Sequence, residues 1–353
     1  MRVNCCHSLF NNCLVNAPFL HLSFVGVILW LSKYVLFMEV LMAVVYGFGS
    51  AAVDFRIRTA DYGDLYKDKL LAQTWAEMGG GAVANFLSQV SRLGVKSAFL
   101  GKLGNDVIGK KIIELLEKEN VDCSNIIVSD EYCSPFNVAV YSGLEMRRRG
   151  GFLIPNSLAK LTDEDIEKLV APITAEDFVM IEIGEVPPAQ VIAFANAVHA
   201  KGAKLCIDVD LDPVRQCGFT PEEFDGVCKL CDVLIPNVVS MATIYSDMTA
   251  ASLAEKMYGI YGKPCIVSAG KEGAYYCEND EGAKNVPIYD AVVVDTVGAG
   301  DAFHGGVVYG LVTGMSVAEA VWCGSVCGGI NCSTFGARDG MANGETVRKI
   351  LEA

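Results

Sequence analysis

The stretch DTVGAGDAFHGG, residues 295–306, decides how this chain is read. Glycines surround Ala299 just before the ionisable Asp301, and an apolar small-residue run, GVVYGLVTG, follows. Gly298 and Gly300 let the backbone turn sharply and leave no side chain in front of its N–H groups. AVVVD (291–295) reads as a strand leading in, and AFHGGVVYGLVTG as a helix leading out. Amides at the start of that helix form an anion site. A carboxylate beside an anion weakens binding, so Asp301 needs a reason to be there. It has one as a base that deprotonates an attacking hydroxyl while the amides hold a phosphoryl group in transfer. The alternative, an aspartate that merely caps a helix after a glycine turn, stays open on this stretch alone.

Outward from that motif, the chain from Met38 alternates short β-branched runs with amphipathic helices. This predicts a mostly parallel sheet with right-handed crossovers. MAVVYGF reads as the first strand, and GAVANFLSQVSRLG as a helix ending at Gly94. KSAFLGKLG reads as strand and turn, and DVIGKKIIELLEKEN as a helix. LTDEDIEKLV carries a capping box with Thr162 and Asp165, and TPEEF starts a helix with Thr220 as cap and Pro221 next. FVMIEIG, KLCIDVD, DVLIPN and KPCIVSAG read as four successive buried strands. Two stretches, 54–78 and 134–156, break the rhythm as strand pairs with polar turns. Together they predict a small sheet projecting as a lid beside the carboxyl ends of the parallel strands, where ligands of open α/β sheets bind.

Composition narrows the function classes. A net charge of -14 over 353 residues argues against nucleic-acid or anionic-membrane partners. The 14 cysteines form no framework and read as reduced thiols. Cys228 and Cys231 form a CxxC, but the four histidines are scattered and the pair ends a helix, so it reads as buried packing. Residues 14–37 are nearly uncharged and long enough for a signal anchor. The reading preferred is that 1–37 is a hydrophobic extension outside the native protein, with translation starting at Met38 or Met42 and the domain running over 38–353. The location expected is cytoplasmic. A dinucleotide-binding site is excluded, because GFGSAAVD lacks the third glycine of GxGxxG.

DTVGAGDAF and a second glycine-rich region, GGGAVANFLSQVSRLGVKSAFLGKLGNDVIG (79–109), together resemble the two signatures of ribokinase-like sugar kinases, the PfkB family. The resemblance covers about 42–340 and implies the ribokinase-like α/β fold with a small β-sheet lid. It implies Asp301 as catalytic base and Gly298, Ala299 and Gly300 as the anion hole. Asp54, Gly80, Gly81, Asn85 and Glu185 are the implied sugar contacts, and a carboxylate and an amide suit hydroxyl recognition. On the ATP side it implies Asn237, Ser268, Gly270, Gly273 and Ser325. Asp295 and the Val297 carbonyl match part of a potassium site. ATP, magnesium and potassium are the implied cofactors, and a homodimer through the lid the implied assembly.

The chain departs from that pattern in places. NVVS carries Asn237 but has Ser240 where a magnesium-ordering glutamate is expected, and a hydroxyl is a poorer partner for a hard cation's water shell. Glu185 or Asp208 could compensate. Ala52 and Ser325 replace polar residues, and Asp208 and Asp210 stand where Asp-x-Asn is frequent, which weakens ribose as substrate. The activity expected is ATP-dependent phosphorylation of a sugar or sugar acid hydroxyl. A nucleoside kinase of the same fold and a catalytically weak sugar or nucleotide sensor are the alternatives.

Overall fold

The computed structural model of the protein describes residues 43–59, 71–142, 147–154, 160–184 and 186–352. The extension 1–37 and the expected substrate contact Glu185 lie outside the described residues. β1 (Val44–Phe48), β2 (Ala52–Thr59) and β3 (Ala72–Gly80) lead to α1 (Ala82–Leu93). β4 (Lys96–Leu100) and β5 (Lys102–Gly104) precede α2 (Val107–Lys118). β6 (Ile127–Ser129), β7 (Phe136–Ser142) and β8 (Arg147–Leu153) precede α3 (Asp163–Val170). The chain then alternates through β9 (Phe178–Ile183), α4 (Pro188–Lys201), β10 (Lys204–Val209) and α5 (Pro221–Leu230). It continues with β11 (Val233–Pro236), α6 (Ala250–Tyr261) and β12 (Cys265–Ser268). β13 (Ala274–Cys277) and β14 (Lys284–Val286) are followed by α7 (Ala299–Val312), α8 (Val317–Asn331) and α9 (Gly344–Leu351).

The main sheet runs β14-β13-β12-β11-β10-β9-β1-β4. It is parallel from β4 across to β12, and β13 and β14 close it antiparallel. The four buried strands expected from their apolar runs are β9 to β12. Such runs mark strands covered on both faces, and β9 shows why. Phe178 and Met180 pack into one core layer, whereas Val179 and Ile181 pack into the other. Phe48 of β1 stacks on Phe194 of α4 with ring centroids 3.9 Å apart.

The helix signals hold locally. Thr162 and Thr220 both cap through reciprocal side-chain bonds, with Pro221 at the helix start. Gly94 ends α1 in the left-handed region at φ 99°. The two irregular stretches do form a separate sheet in the order β3-β2-β7-β8, the expected lid.

Two expectations fail. AVVVD is not a strand: Val292, Val293 and Val294 are exposed, and the Val294 and Asp295 N–H groups both donate to the Cys332 carbonyl at 2.8 and 3.1 Å. β13 and β14 already complete that edge of the sheet, so the run hangs on the end of α8 instead. KLG of KSAFLGKLG is not a turn but β5, which pairs parallel with β6 through Leu103 and Val128.

The parallel strands β1 and β9 to β12 all end on one edge, and the lid strands β2, β3 and β7 rise beside it. Among the described residues, no helix is long and apolar enough to cross a membrane.

Candidate active site

A cavity of about 440 Å³ opens between that edge and the lid. Asp54 and Arg56 of β2, Asn85 of α1, Glu182 of β9, Asp210 after β10 and the turn Thr296–Asp301 all reach it.

Gly298 is the N-cap of α7, with φ 77°, and no side chain caps this helix. Asp301 therefore stands in the first turn, past the capping position, and the plain cap reading is set aside. A Cβ on Gly298 would lie 2.3 Å from the Ala337 carbonyl oxygen, so both the backbone angle and the space demand glycine. At Gly300 a Cβ would meet nothing within 4 Å, because that face of the turn opens on the cavity. The Ala299 N–H donates back to Thr296 at 3.2 Å, whereas those of Gly298, Gly300 and Asp301 have no backbone acceptor among the described residues. Unpaired amides at a helix start, facing a cavity, fit a phosphate.

Asp301 is only partly exposed, and its Oδ2 accepts from Asn85 Nδ2 at 2.6 Å. Burial pushes its carboxyl up to about 7, helped by the charges of Asp208 and Asp210 and opposed by the Asn85 bond and His304. Asn85 is buried rather than on an exposed helix face. Its Oδ1 accepts from Arg338 Nε at 2.6 Å, and Arg338 also donates to the Gly80 carbonyl at 2.7 Å. The guanidinium of Arg338 is buried, which pulls its pKa down to about 10. Behind Asp301, His304 Nδ1 lies 3.0 Å from Asp208 Oδ2. Burial alone would lower this imidazole's pKa, but the neighbouring Asp208 carboxylate, with Asp301 and Asp210 beyond, raises it.

Asp54 sits within β2 rather than in a turn, and Asn137 Nδ2 donates to its Oδ1 at 2.8 Å. Gly80 ends β3 beneath it; a Cβ there would be 2.1 Å from Asp54 Oδ1. Gly81 starts α1 at φ 90° against the Ala51 backbone.

The expected ATP-side residues do not line this cavity: Asn237, Ser268, Gly270 and Gly273 follow or end β11 and β12, and Ser325 lies in α8. Asn237 follows β11 and bridges to Ser268 at the end of β12. Gly270 and Gly273 flank a tight turn at φ 55° and 85°. Ser325 is buried in α8. Ser240 is buried in its own turn, donating to the Asn237 carbonyl at 3.0 Å. Asp210 faces the cavity with no hydrogen-bond partner among the described residues, while Asp208 is held by His304.

Asp295 and Val297, the expected potassium ligands, precede the anion turn. Asp295 Oδ2 is paired with Arg56 NH1 at 3.0 Å, and the Val297 carbonyl accepts from Asn331 Nδ2 at 3.2 Å. The CxxC pair is buried, with the Cys228 thiol pushed up to about 12 by desolvation.

Arg56, Arg338, His304, Glu182 and Asn137 were not singled out from sequence. Arg56 and His304 carried a signal: one shares the strand face of Asp54, the other the helix face of Asp301. Arg338 carried none, since 253 residues separate it from Asn85. Glu182 lines the cavity and accepts from the Ser50 N–H at 2.6 Å.

Known proteins resemble this one along nearly the whole described length. The family model for pfkB family carbohydrate kinases matches residues 42–343. A 2-dehydro-3-deoxygluconokinase of Bacillus subtilis is 26% identical over 305 residues, covering 83% of this chain and 91% of that protein. A probable fructokinase-7 of Arabidopsis thaliana is 27% identical, covering 80% and 86% respectively. Among solved structures, a ribokinase from Thermotoga maritima has a TM-score of 0.74 at 23% identity, covering 88% of this chain and 99% of that one. Ribokinase of Arabidopsis thaliana complexed with ribose and ATP has a TM-score of 0.73 at 22% identity, covering 88% and 99%. With the expected fold and a family match across the lid, the cavity and the glycine turn, this chain belongs to the pfkB family of carbohydrate kinases.

Proposed function

We propose that this ATP-dependent sugar kinase uses Asp301 as the general base that deprotonates the acceptor hydroxyl of a sugar or sugar acid. The observation that carries the reading is one carboxylate, raised to about 7, beside unpaired amides on the floor of the cavity. A base poised near neutral pH can both lose its proton before the reaction and accept one during it.

Bound ATP would supply the γ-phosphoryl group, and a magnesium ion would neutralise its charge. The chain's own residues do the rest. Asp54, held by Asn137, accepts from sugar hydroxyls at the lid end of the cavity. Asn85 fixes one Asp301 oxygen, leaving the other for the hydroxyl proton, and Arg338 fixes the Asn85 amide the right way round. The Gly298, Gly300 and Asp301 N–H groups donate to the oxygens that gain charge in transfer. Asp210 fits a magnesium ion held through its water shell. Asn237, Ser268, Gly270 and Gly273 at the ends of β11 and β12, together with Ser325 of α8, are the residues on which the nucleotide would lie. The location proposed is cytoplasmic.

A panel of sugars, sugar acids and nucleosides tested for ADP release checks the reading. The sugar acid arm draws on the name of the Bacillus subtilis relative. Turnover of a sugar or sugar acid is the expected result, and turnover of nucleosides alone would overturn the acceptor class.

Asp54→Ala should raise the sugar KM roughly tenfold to a hundredfold, since hydroxyls left unpaired cost about 1–3 kcal/mol. The ATP KM should change little. Equal damage to both would mean that Asp54 supports the lid rather than the sugar.

A homodimer through the lid is part of the proposal. β3 and β8 are the edges of the lid sheet, and Trp75 is 64% exposed and Phe152 69% exposed on them. Side chains of that size left in water favour pairing with a second copy. Sedimentation should give a dimer that Trp75→Glu turns into a monomer; a monomeric wild type would remove this part.

A further inference from the structure

We infer that Arg56 takes the place of a monovalent cation beneath the anion turn, making this kinase independent of potassium. The inference rests on the kinase reading above.

The residues that would ligate such an ion do not fit one. Asp295 Oδ2 accepts from Arg56 NH1 at 3.0 Å and from the Gly336 N–H at 3.1 Å. Its Oδ1 accepts from the Val297 N–H at 3.1 Å, and the Val297 carbonyl is taken by Asn331. A bare cation needs a shell of oxygens with lone pairs turned toward it; here two N–H donors fill Asp295 Oδ2, and Asp295 Oδ1 and the Val297 carbonyl each already accept one. Beside the Val297 carbonyl, the Asn331 Oδ1 atom is buried without a hydrogen-bond partner, and one neutral oxygen makes no shell.

The guanidinium is built in rather than passing by. Its side chain is 3% exposed, and its carbon lies 5.1 Å from the Phe335 ring centroid and 5.8 Å from that of Tyr141. Aromatic faces favour a cation at such distances. NH2 lies 3.9 Å from Asp54 Oδ2, so the same charge faces the sugar-side carboxylate.

The electrostatic need is plain. Without a partner, the Asp295 carboxylate would hold a negative charge just before the amides meant to receive an anion. A fixed positive charge on Asp295 removes that opposition and also pins the turn through its Val297 and Gly336 bonds. Arg56 is thus a positioning residue acting through Asp295. Because it stands on β2, the charge arrives with the lid strand rather than from solution.

The test compares the full chain in potassium chloride and in tetramethylammonium chloride at about 0.1 M, where screening is matched. The variants are Arg56→Met and Arg56→Lys. Thermal melting, which needs no substrate, should be the same in both salts for the wild type, and so should kcat. Arg56→Met should melt lower and lose on the order of 10- to 100-fold in kcat, as loss of charge support at an anion hole does. Potassium should recover part of both losses, since Asp295 is then free to bind it. Arg56→Lys keeps the charge and should retain most of kcat while ignoring potassium.

A wild type stabilised or activated severalfold by potassium would overturn the inference. So would Arg56→Lys falling as far as Arg56→Met, which would make the side chain's shape, not its charge, the point. Should Arg56→Met not fold, the wild-type and lysine arms still decide. Should no sugar be phosphorylated, the kinase reading fails on that panel while the melting arm still judges Arg56.

Discussion

Asp301→Asn is expected to lower kcat by about 10²–10⁴-fold while ATP still binds, the range lost with a general base. The amide matches the carboxylate in size and keeps one oxygen for Asn85, so folding should survive. Removing a negative charge beside the amides should leave the ATP KM unchanged or slightly lower. In the wild type, kcat/KM for the sugar should climb with pH through about 7 and level off above, because only the deprotonated carboxyl accepts a proton. Asp301→Asn should lose that limb along with the rate. Steady-state kinetics across pH, with the chemical step shown to limit turnover, checks both points. A variant keeping more than about a tenth of wild-type kcat would remove the base from the mechanism.

The same raised pKa makes a stability prediction whose sign is opposite to the rate. A carboxyl raised in the fold above its unfolded value favours the native state when protonated. Its contribution is full below about pH 4, declines as pH rises, and is gone above the folded value of about 7. Asp301→Asn, always neutral, should therefore melt higher than wild type above pH 7, with the gap closing toward pH 4. Stability given up for a charged carboxylate in a desolvated cleft is what an active-site role predicts.

Gly298→Ala should be the second large effect. The residue has φ 77°, and a Cβ would sit 2.3 Å from the Ala337 carbonyl oxygen, with the Ala337 Cα 2.8 Å away. The left-handed backbone alone costs about 1–2 kcal/mol for a side-chain-bearing residue. The clash is with backbone, so the turn itself must move. Displacing the amides by about 1 Å can cost on the order of 10²-fold in kcat. Calorimetry should show a lowered Tm, and kinetics a fall in kcat larger than the rise in either KM. Gly300→Ala is the control: its added methyl meets nothing within 4 Å, so Tm should stay near wild type and any loss should appear in ATP binding. Equal effects of the two variants on Tm would show that Gly298 is not the strained member of the turn.

Much was legible because the signals were local. Short, nearly continuous apolar runs flanked by helices marked β9 to β12, and caps at Thr162 and Thr220 marked helix starts within a residue. The glycine spacing around Asp301 marked a tight turn at a helix start because φ and missing side chains are properties of the residues themselves. AVVVD misled for the reverse reason. Valines favour strands only where a neighbouring strand offers bonds and a surface to pack on. The sheet edge was already closed by β13 and β14, so three valines stayed exposed.

The sequence by itself determined the parallel α/β layering, the lid strands, the glycine turn and Asp301 at its helix start, all of them settled within a few residues by backbone preference and apolar period. Only the tertiary structure decided what surrounds Asp301: Asn85 and Arg338, His304 with Asp208, and Arg56 on Asp295. Those partners come from strands and helices far apart in the chain. Burial raises the carboxyl and buried charges demand partners, and both depend on which distant segments the fold brings into contact.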